Sequence, residues 1–176
     1  MPCKKMDATF DHGPQAKADE GLTHRQPLTQ TLLRLVEQSL WANLQWVEFV
    51  YSQPDPEARP RELVDHIMVG ERIWFERIAG QPTTTTMFPL LSKDELIRGF
   101  TGSAETFRQL IGSRLGDVIH FRRGTGEEYH ARVEDIIHHL LTHGYHHRGQ
   151  LAAHYARNGI KYPNTDHINF LIENRL

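Results

Sequence analysis

The stretch that decides the fold is Val133 to Asn158, VEDIIHHLLTHGYHHRGQLAAHYARN. It has no proline, opens on the acids Glu134 and Asp135, and is followed by Gly159. Acids in a first turn and glycine just past a last one mark where a helix starts and stops. At ~100° of rotation per residue, Val133, Ile136, Ile137, Leu140, Gly144 and Leu151 fall within an arc of roughly 100°. The stretch therefore predicts one long amphipathic helix with a face to bury.

Six of the twelve histidines lie on it: His138, His139, His143, His146, His147 and His154. They are not equivalent. On the same rotation count His138 and His146 point to water, and His139 sits on the boundary. His143 and His147 lie together on one flank of the apolar arc, one turn apart, with His154 two turns further on. Two imidazoles at i and i+4 can chelate one divalent metal, provided both rings are neutral, as imidazole mostly is at pH 7. Partly buried histidines hydrogen-bonded to neighbours would show the same spacing. A metal would also need a third ligand from elsewhere in the chain.

Working outward, a chain of 176 residues suffices for one domain with a substantial core. Its hydrophobic content of 39% and charged content of 24% are those of a globular protein. A net charge of -2 supplies no basic field for nucleic acid. The one cysteine, Cys3, excludes an internal disulfide and a cysteine zinc site. No apolar run approaches ~18 residues, and the N-terminus lacks the apolar core of a secretory signal. The expectation is a cytoplasmic protein without a membrane partner.

Residues 1–26 are polar and patternless and read as an N-terminal arm or tail. From Pro27 to Tyr51, Leu32, Leu33, Val36, Leu40, Leu44, Val47 and Val50 recur at helical steps. A second helix is predicted from about Arg59 to Ala79, with Leu63, Ile67, Gly70, Trp74 and Ile78 as its inner stripe. His66 lies roughly 60° from Leu63 and turns towards the core, while Asp65 is expected to face outwards. A lone core histidine with a polar partner would account for His66; the pair's need for a third ligand gives it a second reading.

Ser92-Lys93-Asp94-Glu95 forms a capping box and opens a third helix reaching about Leu115. The period then changes. Asp117–Arg122 and Glu127–Arg132 flank Gly124-Thr125-Gly126 and predict a short β-hairpin that must pack on the helices. A short closing helix follows Thr165, with Thr165 or Asp166 as its cap. The expected fold is all-α: a four-helix bundle over residues 27–176 with a β-hairpin before the last long helix.

The run HHLLTHGYHHRGQL, His138 to Leu151, resembles the signature of the DinB/YfiT-like family: a histidine, three residues, then His-Arg-Gly-Gln. Leu63 to Trp74, LVDHIMVGERIW, resembles that family's second-helix histidine segment. The hairpin and the Pro163-Asn164-Thr165-Asp166 stretch are similar too, so the resemblance covers roughly residues 27–176. It implies an up-down-down-up bundle, often a homodimer, with one divalent metal, nickel or zinc, on three histidines. Position by position these are His66, His143 and His147. It also implies a small-molecule substrate and, for some members, a low-molecular-weight thiol as co-substrate.

One departure bears on the reaction. Gly144 stands where a zincin carries glutamate, which removes the general base of a helical-zinc peptidase. Three neutral imidazoles leave open positions on a metal, as catalytic sites do and closed structural sites do not. The expected function is a metal-dependent transferase or hydrolase acting through an activated thiol or water. The alternative is a non-enzymatic, metal-stabilised bundle that binds small molecules or has lost activity. A ferritin-like dimetal site needs paired Glu-x-x-His motifs, and the chain has no such pair. Glu71, Tyr145, Arg148 and Gln150 are near the ligands in sequence and are candidates to orient them or to meet substrate. Arg148 could equally pair with an acid inside the bundle. Trp41, Trp46 and Trp74 read as core unless a pocket opens beside one of them.

Overall fold

The computed structural model describes residues 20–54, 58–86, 89–122 and 125–174. Among these, the chain forms α1 (Glu20–Ser52), α2 (Ala58–Ile78), α3 (Lys93–Ser113), β1 (Val118–Arg122), β2 (Glu128–Arg132), α4 (Val133–Arg157) and α5 (His167–Glu173). Helix α1 starts at Glu20, earlier than the expected Pro27 and inside the stretch read as an arm. Pro27, the eighth residue of α1, lacks the N–H that would bond the Thr23 carbonyl, so the helix forgoes that bond. Residues 1–19 lie outside the described residues.

Side-chain pairs fix the directions of the four long helices. Arg108 reaches Glu37 at 2.7 Å and Lys93 reaches Glu48 at 2.7 Å, so α3 runs antiparallel to α1. Arg148 meets Asn43 and Tyr145 meets Gln38, so α4 runs parallel to α1. Trp74 lies against His139 and His66 against His147, so α2 runs antiparallel to α4. This is the up-down-down-up bundle.

Each helix contributes its predicted face. Leu32, Val36, Ile137 and Phe107 belong to one apolar cluster; Val47, Val50, Ile67, Phe100 and Leu151 belong to another. The capping box opens α3 as expected: the Ser92 hydroxyl accepts from the Glu95 N–H, and the Glu95 carboxylate accepts from the Ser92 N–H at 2.8 Å. The hairpin pairs His120 with His130 and Phe121 with Tyr129. It packs on α2 through Phe121, whose ring centroid is 4.9 Å from that of Trp74. Gly126 turns it with φ at 89°; Gly124 lies outside the described residues.

One expectation fails here. Asp65 does not face outwards: it is 2% exposed, because the crossover between α2 and α3 folds over it. The Leu91 N–H donates to its carboxylate at 3.4 Å, and burial pushes its pKa up to about 6. Of the two caps expected for α5, Thr165 and Asp166, Thr165 takes another role. Its carbonyl accepts from Gln38 and its hydroxyl from Trp46 Nε1 at 3.1 Å, which straps the segment after α4 across α1. Asp166 occupies the cap position without a side-chain cap bond.

Between the two apolar clusters the core turns polar. Gln38, Ser39 and Asn43 from α1, Glu71 from α2, Ser103 from α3 and Arg148 from α4 are all buried. Every long helix therefore has a polar group in one middle layer.

Candidate metal centre

Helices α2 and α4 bring His66, His143 and His147 together. One nitrogen from each lies within 4.8 Å of the others. Ring centroids are 5.0 Å apart for His66 and His143, 4.7 Å for His66 and His147, and 4.3 Å for His143 and His147. All three are partly buried. The close approach depends on Gly70: a Cβ there would meet His143 Cε1 at 3.2 Å.

The rings are held neutral. Burial lowers all three pKa values; for His66 and His143 the neighbouring imidazoles add to it, while for His147 the Gln150 hydrogen bond works against it. His143 is lowest, at about 4, with His147 as the next contributor after burial. For His66 the further contributors are His147 and Arg59. Neutral imidazoles expose a lone pair, which is what a metal requires of them.

Gln150 sets the tautomer of His147. The His147 Nδ1–H faces the Gln150 Oε1 at 3.0 Å, and the Gln150 Nε2 faces the His146 Nε2 at 3.0 Å. A proton on Nδ1 leaves Nε2 as the acceptor, and it points at the His143 Nε2 3.0 Å away. Without a cation, one ring of this pair must donate to the other. A cation between them takes both lone pairs, and the His66 nitrogen is within reach of the same point. The donor set fits a single divalent metal.

The other three candidates sit elsewhere. Tyr145 donates its hydroxyl to Gln38 Oε1 at 2.6 Å. Arg148 donates to Asn43 Oδ1 at 2.6 Å and lies 4.7 Å over the Tyr145 ring. Glu71 is 4% exposed in the polar layer, beside Ser103. Burial pushes its pKa up to about 7, against the pull of Ser103 and Arg148. Burial also draws Arg148 down to about 10. These three hold the bundle together behind the histidine cluster; Gln150 is the one bonded to a member of it. The absence of glutamate at Gly144 has a packing reason, since a Cβ there would lie 2.9 Å from the Arg148 Nη1.

A cavity of about 180 Å³ adjoins the triad, with His66 and His143 on one side and Trp74, Arg77 and His139 on the other. Trp74 thus departs from the expected core role; Trp46, though 2% exposed, edges a second, larger groove, and Trp41 packs on Phe170. His139 and Arg77 were legible only in part. His139 completes an i, i+4, i+8 row with His143 and His147, and Arg77 follows Trp74 on the same helix face. A larger groove of about 480 Å³ lies on the far side of α4, against residues 161–166, and includes none of the three ligands.

The fold and the cluster define a class: a helical bundle whose second and fourth helices present three histidines able to hold one metal ion. The chain belongs to the DinB superfamily, whose family model matches residues 16–151. No curated protein matches the chain. No helix of the described residues is long and apolar enough to cross a membrane.

Proposed function

We propose that the protein is a metal-dependent transferase or hydrolase for a small molecule. The observation that carries this reading is the set of three neutral imidazoles converging on one point. Among the described residues no carboxylate or cysteine completes the set. A divalent cation, nickel or zinc, held this way keeps open positions and lowers the pKa of a bound thiol or water to make a nucleophile near neutral pH.

The chain's own residues supply the rest. His66, His143 and His147 bind, Gln150 fixes the ring of His147, and Trp74 and Leu140 exclude water from the adjoining cavity. Gly144 stands where a zincin carries its glutamate base, which favours activation by the cation over general-base catalysis. A low-molecular-weight thiol is the proposed co-substrate and a homodimer the proposed assembly, both on the family resemblance. The net charge of -2 supports a small-molecule partner over nucleic acid.

The test is elemental analysis of purified protein, followed by thiol conjugation of a model electrophile before and after chelation. One equivalent of metal with chelator-sensitive conjugation or hydrolysis is expected. Metal without turnover of any thiol or water reaction would indicate the non-enzymatic bundle. Absence of metal, with no uptake of zinc or nickel, would remove the reading altogether.

A further inference from the structure

The cavity beside the triad has a chemistry of its own. Its volume of about 180 Å³ is close to the ~150 Å³ that accommodates a benzene ring in a protein interior. Its walls are mostly aromatic or aliphatic: the Trp74 indole, Ile73 and Leu140, with imidazole edges from His66, His139 and His143. Aromatic walls favour a flat occupant through edge and face contacts.

The Trp74 ring is held in place by its neighbours. Phe121 meets it edge-on at 4.9 Å, and His139 at 5.8 Å. The Arg77 guanidinium lies 4.8 Å from its centroid. Arg77 also lines the cavity, and among the described residues no carboxylate does. The fixed charge of the lining is therefore positive. A guanidinium at the rim of an apolar slot attracts an anion with a planar head, because its fork matches a carboxylate.

We propose that this cavity is a subsite for a small flat monocarboxylate, a single unsaturated or aromatic ring with its anionic end at Arg77 and its ring against Trp74. This rests on the proposed function for its meaning as a substrate site, since the ring would lie beside the cation. The binding itself does not require the cation. Arg77 and Trp74 would then set which electrophiles are accepted, with bulky or cationic ones refused.

The probe is benzoate, compared with benzamide and cyclohexanecarboxylate. The full chain is labelled with nitrogen-15, and the Trp74 indole N–H signal is identified by its loss in Trp74→Phe. Benzoate should move that signal saturably in both chelator-stripped and zinc-loaded protein. Benzamide and cyclohexanecarboxylate should bind about fivefold more weakly or worse, and Arg77→Gln should reduce benzoate to the level of benzamide. Benzoate that leaves the Trp74 signal still, or shifts only the Trp46 signal, overturns the proposal. So does equal binding of benzamide, or indifference to Arg77→Gln. Protein that takes up no zinc but shows the benzoate pattern would retain the subsite and lose the metal-dependent reading. Zinc uptake without the pattern would do the reverse.

Discussion

The side-chain carbonyl of Gln150 lies 3.0 Å from Nδ1 of His147, on the opposite edge of the ring from the nitrogen that faces His143. One contact therefore decides both which nitrogen carries the proton and where the ring points.

Replacing Gln150 should weaken metal binding without disturbing the fold. Gln150→Leu is expected to lower affinity by about 10–100-fold, the usual loss when a ligand's hydrogen-bond partner is removed. Competition with a chromogenic chelator measures the affinity, and circular dichroism checks the helices. Unchanged affinity would show that His147 is oriented by packing alone.

Gly70→Ala separates packing from chelation in a different way. The added methyl would sit 3.2 Å from His143 Cε1 and must push the ring aside. Alanine is the better helix former by ~1 kcal/mol, which offsets part of the clash. Stability should change by less than about 1 kcal/mol in either direction, while metal affinity falls. Denaturant midpoints and the same chelator competition check both halves.

Arg148→Ala should cost stability at every pH where the protein folds. The change leaves Asn43 Oδ1 buried without its donor and takes a positive charge from beside buried Glu71. A loss of about 2–4 kcal/mol is expected from an unsatisfied buried acceptor and an uncompensated acid. Arg148→Lys should recover little, since an ammonium lacks the planar fork. Urea unfolding of the chelator-treated variants gives the figures.

The pH dependence of the metal-free protein should carry opposing contributions. His143 is depressed from 6.5 to about 4, so the unfolded chain takes up its proton first as pH falls. Its contribution to stability is present above pH 6.5 and is lost as pH drops towards about 4. Glu71 is raised from 4.5 to about 7, so its contribution is present below pH 4.5 and is lost as pH rises through about 7. Subtracting the urea profile of His143→Asn from that of the parent should isolate the histidine part, with the parent losing more stability towards acid. A parent-minus-variant difference that shrinks as pH rises from about 4 to 6.5 would contradict the assigned direction.

Much of this fold could be read directly from residue spacing. The apolar arc of α4, the stripe of α1, the Ser92 capping box and the change of period at the hairpin each rest on local chemistry, and local chemistry is what a sequence displays. The histidine cluster was also legible, because a helical rotation count places His66, His143 and His147 on inward faces, and the fold brings them together. Asp65 shows where that method stops. Rotation gives the direction of a side chain on its own helix but not what a distant crossover lays over it. The same holds for Glu71 and Arg148: proximity in sequence to a ligand suggested contact, yet each turns into the polar layer instead. Trp74 and Arg77 became a cavity wall only once β1 supplied Phe121 against them. Such features depend on tertiary neighbours, and no periodicity encodes those.

Two of the three ligands share one helix, while the third arrives on another, with all of α3 and the hairpin in between. Chelation by α4 alone would be a local event, open to an otherwise unfolded chain. Recruiting His66 closes a long loop, so full coordination can occur only after the topology is complete. A bound ion would then act as a latch on the finished bundle. Its release would remove one tie between α2 and α4 at the place where the chemistry is proposed to happen, leaving their apolar packing intact.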